Sequence, residues 1–283
     1  MFEKIVGNEE VKKYLVGLIE NNKIANSYIF LGESGIGKKA FAKEYAKELL
    51  CLNNGKCNNT CESCDKFNNN ANPDFKIIAP EGKEIQIDKI RDLQTDIVKK
   101  PILAKRKVYI IDDANLMNEK AQNCFLKTLE EPPQYAIIIL IVSNESMLLP
   151  TVKSRCVTIK FKNLSRNEIK QIKPDLTDDV IELLNGSLQN IEEIIKKQDI
   201  YVEVKELVES LEKDSLINIY KKAEILYNNK GDIFNILDYM CLLLFKDGRY
   251  DAIQFVEKTK EKLRLNNNYV MSIDYMLMNI AKQ

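Results

Sequence analysis

The sequence predicts an α/β domain built on a parallel sheet, followed by a helical remainder. Three observations carry this. Short apolar runs alternate with amphipathic helical segments through the first 160 or so residues. The runs are apolar almost throughout, as strands buried on both faces are. After Phe161 strand signals fade and helical patterns take over.

The expected strands are SYIFL (Ser27 to Leu31), FKIIA (Phe75 to Ala79), KVYIID (Lys107 to Asp112), AIIILIVS (Ala136 to Ser143) and VTIKF (Val157 to Phe161). The expected helices between them are Glu9 to Glu20, Lys38 to Leu50, Asp88 to Lys99 and Glu119 to Glu131, the last stopped by Pro132-Pro133. Beyond them, Ser165 followed by Glu168 is a capping pattern, and Asp178 to Leu184 and Leu188 to Lys197 are short helices around Asn185-Gly186-Ser187. From Tyr201 longer helices follow, punctuated by Asn228-Asn229, Gly231, Asp247-Gly248 and Asn266 to Asn268. The spacing of Ile233, Ile236, Leu237, Met240, Cys241 and Leu244 marks an apolar helix face that is either core or interface. The expected partition is a P-loop domain at 1–162, a small helical lid at 163–200 and a C-terminal helical domain at 201–283.

Composition narrows the function. The chain has 283 residues, with 42 Lys plus Arg balancing 42 Asp plus Glu. Such a chain can neutralise few phosphates by itself, so its own binding to DNA should be weak and salt-sensitive. The densest basic stretch, Lys99, Lys100, Lys105, Arg106 and Lys107, reads as a solvated helix end and loop. The absence of histidine excludes His general bases, Ser-His-Asp triads and mixed Cys/His zinc sites. MFEKIVGNEE has charges where a signal peptide needs an apolar core, and no run reaches the roughly 18 apolar residues of a membrane helix, so a cytoplasmic protein with no membrane partner is expected.

GESGIGKK, Gly32 to Lys39, nearly spells a phosphate-binding loop. Gly32, Gly35 and Gly37 permit tight turns, main-chain N–H groups of such a loop converge on phosphate at a helix N-terminus, and Lys38 would reach the outer phosphates. The last letter is wrong. A serine or threonine hydroxyl there ligates magnesium, and Lys39 offers no lone pair for it. KVYIIDDAN supplies the acidic strand end, with Asp112 placed to hold magnesium through water and Asp113 where a hydrolysing enzyme carries glutamate. The shorter side chain misplaces the carboxylate, and about 1 Å can cost roughly a hundredfold in rate. The alternative is that both aspartates merely end a strand and cap a turn. The loop therefore fits weak ATP or ADP binding, or none, without turnover.

CLNNGKCNNTCESC spaces Cys51, Cys57, Cys61 and Cys64 as C-x5-C-x3-C-x2-C. Four thiolates on a short loop can wrap one Zn2+ tetrahedrally and leave no open position, which makes the site structural. The alternative has Cys51 ending a helix as a buried apolar residue and the others as free thiols; the polar Asn/Gly/Lys filler argues against it. Cys124, Cys156 and Cys241 sit in apolar context and read as packing.

Taken together, IVGNEEVKKYLVGLIENNKIANSYIFLGESGIGKK, the four-cysteine insert, DDANLMNEKAQNCFLKTLEEPP and TVKSRCVTIKF resemble the AAA+ clamp-loader subunits of bacterial DNA polymerase III. The resemblance covers about the first 160 residues well and the rest only by order and size. It implies an AAA+ fold for the P-loop domain, a collar role for the C-terminal helices, and membership of a five-membered ring with gamma/tau and delta subunits that loads a sliding clamp on primed DNA. In that family the SRC arginine, here Arg155 between Ser154 and Cys156, reaches a neighbour's ATP, and a guanidinium offered in trans can contribute about 10³ to 10⁵ in rate. In the lid segment NGSLQNI, Gln189 stands where a hydrolysing subunit presents an arginine to its own ATP. The departures at Lys39, Asp113 and Gln189 all fall on the chain's own nucleotide, while Arg155 is kept. That asymmetry is the pattern of the delta-prime type, a non-hydrolysing stator. A gamma/tau-type motor that tolerates Lys39, and an unrelated P-loop enzyme such as a nucleotide kinase, are the alternatives.

Overall fold

The computed structural model describes residues 1–281 except 54, 56, 58, 59 and 190, and divides into two compact units. Unit 1 comprises residues 1–174 and 185–189; unit 2 comprises 175–184 and 190 onward.

Unit 1 runs α1 (Glu9–Glu20), β1 (Ser27–Leu31), α2 (Lys38–Leu50), α3 (Glu62–Asn68), β2 (Phe75–Ile78), α4 (Ile87–Ile97), β3 (Lys107–Ile111), α5 (Glu119–Glu130), β4 (Ala136–Val142), α6 (Pro150–Lys153), β5 (Val157–Lys160) and α7 (Arg166–Ile172). The five strands form one parallel sheet in the order β2-β3-β4-β1-β5. The expected strands and the first four expected helices are all present, within a residue or two at their ends.

Side-chain alternation along the strands builds a core on each face of the sheet. Tyr28, Phe30, Val108, Ile110, Ile137, Ile139 and Ile141 point to the side of α1 and α2, where Leu15, Phe41 and Tyr45 meet them. Ile29, Tyr109, Ile111, Ile138, Leu140 and Val142 point to the side of α4 and α5 and pack on Ile90, Leu93 and Phe125. Burying one such side chain contributes about 1.5–3 kcal/mol, which is why every residue of β3 and β4 is apolar except Lys107. That lysine departs from the solvated loop expected of it. It is buried, with Nζ 3.3 Å from Oδ2 of Asp96, which also accepts from the Tyr109 hydroxyl at 2.8 Å.

Unit 2 contains α8 (Asp178–Leu183), α9 (Ile191–Lys196), α10 (Gln198–Ser210), α11 (Leu216–Lys222), α12 (Glu224–Asn228), α13 (Ile233–Lys246), α14 (Tyr250–Arg264) and α15 (Tyr269–Ile280). Its core centres on α13, whose Ile233, Ile236, Leu237, Met240 and Leu244 are buried against α10 and α14, with α15 packed on α14. The apolar face read from sequence is thus core, with Cys241 half-buried at its margin. The helix expected from Leu188 begins instead at Ile191, because Ser187 and Leu188 spend their hydrogen bonds on the Gly32 to Gly37 loop. No helix among the described residues is long and apolar enough to cross a membrane.

Candidate functional site

The phosphate-type loop leaves the carboxyl end of β1, between β4 and β5, where the strand order changes direction and α/β sheets gather ligands. Gly35 and Gly37 adopt φ of 75° and 90°, left-handed backbone that suits glycine. Gly37 is the N-cap of α2, so Lys38 and Lys39 open that helix. Lys38 is buried and its Nζ donates to the carbonyls of Gly32 at 2.6 Å and Glu33 at 2.5 Å. Burial lowers its ammonium below the usual lysine range, opposed by Asp113, Asp112 and Glu33. A phosphate entering the loop has to win this side chain away from the loop's own carbonyls.

Lys39 turns toward β3. Its Nζ lies 2.7 Å from Oδ2 of Asp112, a carboxylate 15% exposed. The carboxylate expected to serve magnesium is therefore neutralised by a tethered ammonium, and the residues present do not fit a magnesium ion. Asp113 follows at φ 46° and opens a single 3₁₀ turn, Ala114–Leu116. Burial first, and then the charge of Asp112, raise its carboxyl above the ordinary value, against Lys38 and Lys39.

Residues 187–189 lie on the loop. The Ser187 hydroxyl donates to the Ser34 carbonyl at 2.7 Å, and the Leu188 N–H to the Gly35 carbonyl at 3.0 Å. The approach is so close that a Cβ on Gly35 would stand 2.3 Å from the Gln189 nitrogen. Gln189 is thus brought to the loop by its backbone. Asn163 adds a bond from Nδ2 to the Glu33 carboxylate at 2.8 Å.

Two polar residues that the sequence reading passed over join the strand ends. The Asn115 side-chain oxygen, just after Asp113, accepts from the backbone N–H of Ser143 at 3.0 Å and from its hydroxyl at 3.1 Å. Only their position at the ends of neighbouring strands could have pointed to them.

Arg155 is not among these groups. It follows α6, where its guanidinium donates to Oε1 of Glu130 at 2.5 Å, to the Thr151 carbonyl at 2.8 Å and to the Ser154 hydroxyl at 3.2 Å. Glu130, the first acid of LEEPP, closes α5, and the two side chains border an open cleft of about 420 Å3 with Asn26, Ser27 and Pro132. The guanidinium remains about one-third exposed. The Glu130 partnership spans 25 residues and has no local sequence signal.

The four cysteines converge as their spacing suggests. Cys51 caps the end of α2, Cys61 caps the start of α3, Cys64 lies in the first turn of α3, and Cys57 comes from the loop between. Their sulfurs all lie within 4.8 Å of one another, with Cys51 to Cys57 at 3.2 Å and Cys57 to Cys64 at 3.6 Å. Zn–S bonds of about 2.3 Å in a tetrahedron place sulfurs roughly 3.8 Å apart, so the set fits zinc. The thiols titrate unequally. Burial raises Cys51 and Cys64. Burial opposes the Cys57 thiolate as well, yet the Cys61 backbone N–H and the three neighbouring thiols bring it down to about 6. Cys124 and Cys156 are half-buried at the edge of the α4 and α5 core, away from this set.

Residues 7–165 match the sequence family described as DNA polymerase III, delta subunit. The DNA polymerase III subunit gamma/tau of Mycoplasma genitalium is 33% identical over 260 residues, 91% of this chain and 38% of that protein. The DNA polymerase III subunit delta' of Bacillus subtilis is 29% identical over 279 residues, 96% of this chain and 78% of that protein. The crystal structure of a gamma subunit-related protein from Thermotoga maritima aligns over 95% of this chain and 98% of that one, at 20% identity and a TM-score of 0.48. The chain spans well under half the length of the Mycoplasma relative and about three quarters of the Bacillus one.

Proposed function

This chain belongs to the DNA polymerase III clamp-loader family, and from that premise we propose that it is a non-hydrolysing, delta-prime-type subunit that lends Arg155 to a neighbouring subunit's ATP site while the sliding clamp is loaded on primed DNA. The observation that carries the reading is the ion pair of Lys39 with Asp112, which sets a protein cation where a hydrolysing site holds magnesium. Asp113 and Gln189 withhold two further groups from the chain's own nucleotide, so ATP or ADP binds weakly or not at all. Arg155 stays partly exposed at an open cleft, a setting that suits a guanidinium offered to another chain.

The partners on this reading are gamma/tau-type and delta-type subunits, with clamp and DNA engaged in the assembled ring in the cytoplasm. Residues 1–162 serve as an AAA+ P-loop domain, 163–200 as a lid and 201–283 as a collar that holds the ring. Cys51, Cys57, Cys61 and Cys64 hold a structural zinc, whose chemistry is to tie the end of α2 to the start of α3.

The 33% identity to a gamma/tau subunit favours a second reading, a hydrolysing motor. Two measurements separate them. The purified chain should show no Mg-ATP turnover; robust turnover would favour the motor. In a ring reconstituted with gamma/tau and delta subunits, Arg155→Ala should lower the clamp- and DNA-stimulated ATPase, by up to about 10³-fold at the affected site. An unchanged rate would remove the trans role.

A further inference from the structure

A line of buried polar side chains runs from the four cysteines to the turn between α4 and β3. Ser63, Asn72 and Asp74 are 0%, 6% and 2% exposed. Ser63 stands between Cys61 and Cys64, and its hydroxyl donates to the Leu50 carbonyl, next to Cys51, at 2.7 Å. The Asn72 amide donates to the carbonyl and the hydroxyl of Ser63, at 3.0 and 2.9 Å. Its oxygen accepts from the Asp74 N–H at 2.9 Å. The Asp74 carboxylate then accepts from the backbone N–H groups of Ile102, Leu103 and Ala104, each at 2.7 Å.

We infer that the four-cysteine module braces the 101–104 turn, with Asn72 and Asp74 as the positioning residues that connect them. The turn needs an external hold. Ile102 is 78% exposed and offers it little packing, whereas three N–H groups on one carboxylate are charge-assisted bonds. The near end of the line needs one too, because α3 has seven residues and a helix that short does not persist by itself. Drawing Cys51, Cys57, Cys61 and Cys64 to one ion fixes α3 against the end of α2, and with it Ser63. The sheet holds Asp74 from its other side, through the Val108 N–H on its carbonyl at 2.9 Å. The strand therefore fixes the carbonyl of Asp74 and the module fixes its amide.

This inference rests on the metal reading above, and the test keeps the two apart. Zinc in the purified full-length chain is measured by chromophoric chelator, and amide hydrogen exchange is followed by mass spectrometry in zinc-bound, stripped and reloaded protein. Stripping should speed exchange at 102–104 about tenfold, as loss of charge-assisted bonds would, with β4 unchanged and reloading restoring protection. Asn72→Ala should speed it similarly with zinc still bound, and Asn69→Ala, at an exposed neighbour, should not. Faster exchange confined to 61–68 on stripping would overturn the brace while leaving the zinc site standing. So would native protection at 102–104 in zinc-bound Asn72→Ala. A purified chain that holds no zinc would overturn the metal reading and the brace together.

Discussion

Lys39 Nζ and Asp112 Oδ2 are 2.7 Å apart, so the residue that breaks the phosphate-loop pattern is bonded to the carboxylate that the pattern reserves for a metal ion. Sequence presents Lys39 as a lost hydroxyl; the structure presents it as a gained cation. Lys39→Thr should restore the spelling of the loop without restoring hydrolysis, because Asp113 and Gln189 are unchanged. It should also lower stability slightly, by less than about 1 kcal/mol for a pair whose lysine is half-exposed. Thermal melting and a steady-state ATPase assay check both parts, and measurable turnover in the variant would contradict the assignment.

Asp113 gives a pH dependence with a defined sign. Its carboxyl is raised by burial and by Asp112, so between its unfolded and folded pKa the folded chain binds more protons than the unfolded one. Stability from this residue therefore falls as pH rises through that window and stays lowered above it. Asp113→Asn, which keeps a residue tolerant of φ 46°, should melt above wild type at pH 7. The gap should close as pH falls below the ordinary carboxylate range. A variant that melts at or below wild type at pH 7 would contradict the assignment of the shift.

Two glycines of one loop should respond differently to the same substitution. Gly37→Ala meets no atom within 4 Å and costs only the left-handed backbone, about 1–2 kcal/mol. Gly35→Ala carries that cost and also strikes the Gln189 nitrogen and the Ser187 hydroxyl, at 2.3 and 2.5 Å. Its loss in urea unfolding should be about 3 kcal/mol or more. Equal losses would mean that residues 187–189 move aside freely.

Cys64→Ser should take the zinc content from about one per chain to near zero, since a closed four-thiolate site tolerates no missing ligand. Cys124→Ser should leave it unchanged. Metal analysis of both purified variants decides the point, and zinc retained at full occupancy in Cys64→Ser would break the four-ligand assignment.

Much of this was legible in the chain. Strands buried on two faces leave continuous apolar runs, so all five could be found, and Pro132-Pro133 marked the end of α5 to within a residue. What escaped was decided through space. Lys107 reads as one more solvated lysine until Asp96, eleven residues earlier, is brought beneath it. Leu188 reads as helix until its N–H is claimed by Gly35. α3 is too short for periodicity to mark it, and the cysteine spacing announced the sulfurs without announcing the helix that Cys61 caps and Cys64 sits on. LEEPP and SRC were each visible as motifs, but nothing in either names the other as the partner that Glu130 and Arg155 become.

The path of the chain between residues 174 and 190 bears on how the protein can be dissected. Unit 1 is left after Pro174, rejoined at Asn185 and left again after Gln189, so five residues are sewn back across the phosphate-type loop. A fragment ending at 174 lacks the stitch that covers Gly35. One ending at 189 keeps the stitch but strands Leu176, Val180, Ile181 and Leu184 away from the rest of unit 2. No single cleavage releases both units whole.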